Sequence, residues 1–125
     1  MSKSLAFSIF EGAAVEQQHD GEFELVTPPG NYKPAALATV LPLESVPQSA
    51  IGARVILDLE LLSGTLGAML TNTADGIAGV ETVIDQPVRQ KVVVEARGRL
   101  ANALFLRSLD RGQARARARA VAVAA

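Results

Sequence analysis

The chain ends in a run that alternates strictly between small and larger residues, Gln113-Ala-Arg-Ala-Arg-Ala-Arg-Ala-Val-Ala-Val-Ala-Ala125. A period of two is the period of a β-strand, whose successive side chains point to opposite faces. Alanine favours helices, but a sustained alternation is the stronger signal. We therefore predict a strand whose alanines, from Ala114 to Ala124, face inward. Its outer face would carry Arg115, Arg117, Arg119, Val121 and Val123.

The rest of the chain divides into short apolar stretches separated by turn residues. We predict strands over residues 4–10, 22–27, 32–43, 53–62, 65–71, 77–85, 89–96 and 100–108. Polar loops are expected over residues 11–21 and 44–52, and a turn at Asp75-Gly76. Eight or nine short strands without a long helix predict an all-β antiparallel sandwich with jelly-roll topology, with a closed barrel as the main rival.

Two of these strands show which side faces the core. Phe23 and Leu25 alternate with Glu22 and Glu24, and an apolar row alternates with charged residues in the strand over residues 53–62. The apolar row consists of Val55, Leu57, Leu59 and Leu61. We also expect all four phenylalanines, Phe7, Phe10, Phe23 and Phe105, in the core. Gly67 predicts a bulge or a close approach of two elements.

Composition fits one folded domain over residues 1–125. Hydrophobic residues make up 49% of the chain but aromatic residues only 4%, so aliphatic side chains must build the core. The absence of cysteine removes disulfides and thiolate chemistry and fits a cytoplasmic location. The amino terminus lacks the long apolar region of a signal peptide. No apolar run approaches the roughly 20 residues of a membrane span, so we expect no membrane association.

Charge is divided unevenly along the chain. Residues 1–85 contain 11 acidic and three basic residues, whereas residues 86–125 contain nine basic and two acidic ones. Such a division can indicate a surface for nucleic acid or another polyanion. The interpretation that we favour is that basic late strands lie beside acidic early strands and neutralise them across a sheet.

No residue set predicts catalysis, a metal or a cofactor, so we expect the protein not to be an enzyme. His19 is the only histidine and lies in a polar loop, so it cannot form a histidine-rich metal site. No Gly-x-Ser-x-Gly elbow is present. The carboxylate pairs Glu22/Glu24 and Asp58/Glu60 have the separation of a glycosidase pair, but they belong to predicted solvated faces.

The order of elements resembles that of a known family. The resemblance rests on residues 53–62, Ser63-Gly-Thr-Leu-Gly-Ala-Met-Leu-Thr-Asn72, Val92-Val-Val-Glu95 and Leu104-Phe-Leu-Arg107, with Val26-Thr-Pro28 and Tyr32 upstream. Over most of residues 22–124 the chain resembles small jelly-roll accessory domains, similar to carbohydrate-binding modules, of bacterial polysaccharide-related proteins. Such domains accompany glycosyltransferase or FkbM-type methyltransferase domains. The resemblance implies a non-catalytic module that binds a bacterial glycan.

The candidate binding residues are Arg115, Arg117 and Arg119, together with Tyr32 and Asp75 in loops. Three guanidinium groups would span roughly 13 Å on one face of the strand, and arginine binds carboxylates in a bidentate manner. An acidic glycan would fit them. Alternatively, the arginines pair with Glu22 and Glu24, or with Asp58 and Glu60, on neighbouring strands.

A second hypothesis for function is assembly. Val121 and Val123, on the arginine side of the predicted sheet, could form a symmetric contact between copies of the chain. Nucleic acid is disfavoured, because the isoelectric point is 5.8 and interleaved stacking aromatics are missing.

Overall fold

The computed structural model describes residues 5–40, 54–74, 79–96 and 101–124. Ten strands lie in these ranges. They are β1 (Phe7–Ile9), β2 (Ala14–Gln17), β3 (Phe23–Val26), β4 (Pro34–Thr39), β5 (Arg54–Ser63), β6 (Leu66–Thr71), β7 (Thr82–Ile84), β8 (Arg89–Glu95), β9 (Ala103–Ser108) and β10 (Arg115–Ala124). A 3₁₀ turn spans His19–Gly21. No helix within the described residues is long and apolar enough to cross a membrane.

The strands form two antiparallel sheets of five strands each, in the orders β1-β4-β9-β6-β7 and β2-β3-β10-β5-β8. The chain passes repeatedly from one sheet to the other, and the inner faces of both sheets supply a single core. The predicted all-β, antiparallel jelly-roll sandwich is confirmed. The strand that the sequence did not predict is β2, which lies in the polar stretch assigned to a loop.

Strand β10 is central in its sheet, between β3 and β5. On its inner face, Ala116 lies opposite Leu25 and Leu61, and Ala118 lies opposite Phe23 and Leu59. All of these residues are buried. A lane of methyl groups is thus flanked on both sides by large side chains, as close packing of the interior requires. The predicted inward faces of β3 and β5 are confirmed.

The amino-terminal end of β10 is held by its neighbours. The Ala114 amide donates to the hydroxyl of Thr27 over 2.8 Å, and the Thr27 amide donates to the Ala114 carbonyl over 2.9 Å. Gly64, with a φ of +77°, turns β5 into β6, and an added Cβ there would lie 2.5 Å from the Gln113 carbonyl oxygen. Only glycine satisfies both demands.

The alternation of β10 does not continue to its end. Ala120 lies opposite Leu57 but Ala122 lies opposite Ile56, so Val121 is an additional residue at a β-bulge. Beyond it the faces exchange. Ala122 is exposed, and Val123 lies opposite Val55 and packs against the core. The prediction that Ala122 faces inward and Val123 outward is therefore wrong.

Of the four phenylalanines that were predicted to lie in the core, Phe10 and Phe105 do not. Phe23 is buried and Phe7 packs beside it, with ring centroids 4.7 Å apart. Phe10 is 38% exposed, and its ring meets that of Phe105 edge-on at 6.0 Å. Leu104 and Leu106 supply the inner face of β9, so Phe105 lies on the opposite side of the sheet, outside the core.

The bulge makes a matched pair of substitutions informative. We expect Ala118→Leu to lower the free energy of unfolding by about 1–3 kcal/mol, because the added volume has no space between the flanking leucines and phenylalanine. Ala122→Leu should change it by less than about 0.5 kcal/mol, because that side chain is exposed. Guanidinium denaturation of both variants measures the difference. Equal losses would contradict the bulge.

Candidate functional site

The outer face of the sheet β2-β3-β10-β5-β8 carries the predicted arginine row, and we refer to it as the charged face. Arg117 lies in register with Glu24 on β3 and with Glu60 on β5. Its guanidinium nitrogens are 3.9 Å from Glu22, 3.7 Å from Glu24 and 3.9 Å from Glu60. Three carboxylates therefore surround one guanidinium group, which leaves no excess positive charge at the centre of the row.

The two arginines beside Arg117 have different surroundings. Arg119 lies 3.5 Å from Asp58, which also accepts from Arg89 over 3.2 Å. Arg115 is exposed opposite the uncharged residues Val26 and Ser63. The interpretation that basic late strands neutralise acidic early strands is confirmed, because each of these ion pairs joins an acid before residue 86 to a base after it.

Of the other two predicted binding residues, Tyr32 is not part of this face. Tyr32 precedes β4 in the opposite sheet, and Asp75 lies outside the described residues. The structure thus brings together the three arginines, as predicted, but it places Tyr32 beside Arg107 of the other sheet. His19 is exposed in the 3₁₀ turn, as predicted. Within the described ranges, no group of three acidic or histidine residues could hold a metal ion.

The outer face of the other sheet is different in character, and we refer to it as the groove face. A groove of about 360 Å³ runs across it. Its apolar lining comes from the loop after β1 and from β4, β6 and β9, and consists of Phe10, Leu37, Met69 and Phe105. Thr71, Asn72 and Thr73 lie at the groove beside these residues, as does Arg107. Residues with these apolar side chains normally lie inside a protein rather than on an outer sheet face.

One ion pair lies on the groove face. The Nε and one terminal nitrogen of Arg107 donate to the two carboxylate oxygens of Glu81 over 2.6 and 2.8 Å. Such a bidentate pair is the strongest geometry for a guanidinium and a carboxylate. The Glu81 hydrogen bond raises the pKa of Arg107 above its ordinary value, against the opposing effect of burial. Arg107 therefore stays charged and remains held by Glu81.

Gly67 provides the space for this pair. A Cβ added at Gly67 would lie 2.4 Å from a carboxylate oxygen of Glu81 and 2.9 Å from a methyl of Leu109. The close approach that the sequence predicted at this glycine is confirmed. The group that approaches is the side chain of Glu81. Its carboxylate lies over Gly67, where a larger residue would obstruct its contact with Arg107.

Tyr32 adds an aromatic ring to the same end of the groove face. The Arg107 guanidinium carbon lies 4.9 Å from the centre of the Tyr32 ring, within the range of a cation–π contact. Tyr32 has a φ of +55°, which is unfavourable for a residue other than glycine. Ser108 stabilises this turn, since its hydroxyl donates to the Gly30 carbonyl over 2.6 Å and accepts from the Lys33 amide over 3.0 Å.

The sequence contained a signal for the groove face that periodicity alone did not reveal. The stretch Leu100–Leu106 has no alternation between apolar and polar residues, and all six residues of β6 are buried. A strand that is apolar on both sides needs cover on both sides. The sequence interpretation assigned Phe10 and Phe105 to the core and therefore left the second face without a role.

Comparison with known proteins gives a likeness to solved structures. No protein-family model matches the sequence, and no curated protein matches it. The chain is similar to Drosophila melanogaster CENP-C bound to CAL1, with a TM-score of 0.49 and 10% identity over 95% of this chain and 85% of that chain. It is also similar to the Drosophila melanogaster CENP-C cupin domain, with a TM-score of 0.49 and 10% identity over 96% of this chain and 79% of that chain.

The predicted carbohydrate-binding function is wrong. Two of the three arginines that were to bind an acidic glycan, Arg117 and Arg119, are paired with carboxylates of their own sheet. The resemblance to bacterial accessory domains stays a prediction of the sequence. The fold by itself does not exclude catalysis, because one fold supports many functions.

The role of Gly67 can be tested with a second glycine as a control. We expect Gly67→Ala to lower the free energy of unfolding by about 0.5–1 kcal/mol, since the added methyl displaces the Glu81 carboxylate and Leu109 and weakens the pair with Arg107. Gly112→Ala should leave stability unchanged or slightly higher, because the nearest atom to its added Cβ is 3.8 Å away. Urea denaturation of both variants checks this. A Gly67→Ala protein as stable as Gly112→Ala would contradict the packing described.

Proposed function

We propose that the protein is a non-catalytic assembly module that forms a homo-oligomer through its groove face. The observation that carries this proposal is an apolar groove on the outside of a sheet, at which Phe10 is exposed, Leu37 and Phe105 are half-buried and Met69 is buried. Apolar grooves on the surface of a folded protein are typical of interaction sites. Burying such a groove against another apolar surface gains about 25 cal/mol per Å².

The composition of the groove face supports an interface with a protein. Aromatic residues, methionine and arginine are enriched in protein interfaces, and lysine, glutamate and aspartate are depleted at their centres. Phe10, Met69, Phe105, Arg107 and Tyr32 are of the enriched types. Glu81 is an acidic residue of this face, and both of its oxygens are used by Arg107.

Charge favours a second copy of the chain as the partner. In a two-fold symmetric dimer the same surface meets itself, so any net charge on that surface repels its own copy. The Arg107–Glu81 pair gives the groove face no net charge from these two residues. Phe10 lines the groove and is exposed, so each copy offers an aromatic ring as well as an apolar groove.

The assembly surface differs from the one that the sequence suggested. The sequence hypothesis used Val121 and Val123 on the arginine side. Val123 instead packs against the core, and the charged face presents guanidinium and carboxylate groups that dehydrate at high cost. The assembly hypothesis is therefore retained, and its surface moves to the opposite sheet.

Phe10→Asp tests the proposal. We expect the wild-type protein to sediment as a dimer and Phe10→Asp to raise the dissociation constant at least ~30-fold, because an interfacial aromatic residue commonly contributes about 2 kcal/mol. Analytical ultracentrifugation over a range of protein concentrations measures this. Unfolding curves recorded at protein concentrations where both proteins are monomeric should show only the small loss of the Phe10–Phe105 contact, about 0.5–1.5 kcal/mol.

Val88→Asp is the matched control. Val88 is 53% exposed, lies before β8 and does not line the groove. This variant carries the same change of charge and should dimerise as the wild type does. A wild-type protein that is monomeric at every concentration, or equal effects of the two substitutions, would contradict assembly through the groove face.

A further inference from the structure

The Arg107–Glu81 pair is placed where ion pairs are unusual, on a face whose groove is otherwise lined by apolar side chains and threonine or asparagine. The side chains of Arg107 and Glu81 are only 27% and 21% exposed. Arg107 itself lines the groove beside Phe105 and Met69. A charge at such a site is tolerated when its partner is fixed, and it is costly when the partner is lost.

The structure fixes both partners from several directions. Gly67 leaves the space that the Glu81 carboxylate occupies, and the Tyr32 ring covers the Arg107 guanidinium from another side. Arg107 is on the central strand β9, whereas Glu81 directly precedes the edge strand β7. The pairing of these two charges therefore depends on a contact between two elements, held in a single geometry.

We infer that the Arg107–Glu81 pair is the specificity determinant of the groove face. It keeps that face neutral, so that the face accepts an identical apolar surface of a second copy and rejects charged partners. This inference rests on the proposed function and identifies the residues that select the partner. Arg107 and Glu81 act as a unit, and neither contributes to selection through its own charge alone.

Two-fold symmetry magnifies the effect of an unpaired charge. Removing either partner leaves one uncompensated charge in each copy, and the symmetric contact brings both into one low-dielectric interface. Removing both partners restores neutrality at the cost of one ion pair. Replacing a desolvated ion pair with neutral groups is often close to neutral in free energy. The two single substitutions should therefore be harmful and the double substitution should not.

A double-mutant cycle measured by analytical ultracentrifugation at low ionic strength tests this. We expect Glu81→Gln and Arg107→Gln each to raise the dissociation constant of the dimer at least ~30-fold, because truncating one partner of a desolvated charge pair has effects of that size. The protein carrying both substitutions should return to within roughly tenfold of the wild type. Added salt should partly restore dimerisation of each single variant, because it screens the repulsion.

Glu81→Asp separates charge from shape. It keeps the negative charge but shortens the side chain, so dimerisation should be retained even where the melting temperature falls. Circular dichroism and unfolding curves show whether each variant folds. The two single variants carry opposite charges at different positions, so either one that folds is sufficient for comparison with the double variant.

The outcomes distinguish the inference from the proposed function. A wild-type monomer at all concentrations would overturn the assembly proposal itself. A wild-type dimer whose single variants dimerise normally would overturn only the selecting role of the pair. So would a double variant in which the losses add instead of cancelling, since that result would show that the two residues support the fold separately.

Discussion

The fold depends on a packing constraint in the centre of one sheet. The methyl lane of β10 lies between the large side chains of β3 and β5, and every pair in this region is buried. Because the side chains between the two sheets must fill space at crystal-like density, small residues in one strand require large ones in its neighbours. The same alternation directs the arginines outward, where the carboxylates of β3 and β5 meet them in register. Core packing and surface charge are thus set by one pattern.

Much of this arrangement could be predicted from the sequence, because it lies in a strict period of two. The inward faces of β3 and β5 and the extended state of β10 follow from alternation alone. The bulge at Val121 does not, since alanine and valine continue to alternate through it and the additional residue is visible only in the pairing with Ile56 and Leu57. Strand β2 was missed for the opposite reason. Ala14–Gln17 is a short, largely exposed edge strand and carries no marked apolar face.

The candidate site was harder to predict than the fold. The arginine row was located correctly, but whether it is free or neutralised depends on which strands flank β10, and a sequence does not specify strand order. The groove face was missed because Phe10 and Phe105 have side chains typical of a core. The ion pair between Glu81 and Arg107 could not be foreseen either. It joins residues that are 26 positions apart, and its geometry depends on the missing side chain of Gly67.

The carboxylates around Arg117 have a consequence for stoichiometry. A sandwich with an interaction surface on each of its two sheets could form open-ended stacks, since each added molecule would present an unoccupied surface to the next. Here the centre of one side is covered by guanidinium and carboxylate groups that satisfy one another, which makes it a poor surface for a second contact. Assembly through the groove face alone would therefore close as a pair, because a two-fold contact uses the same surface of both copies.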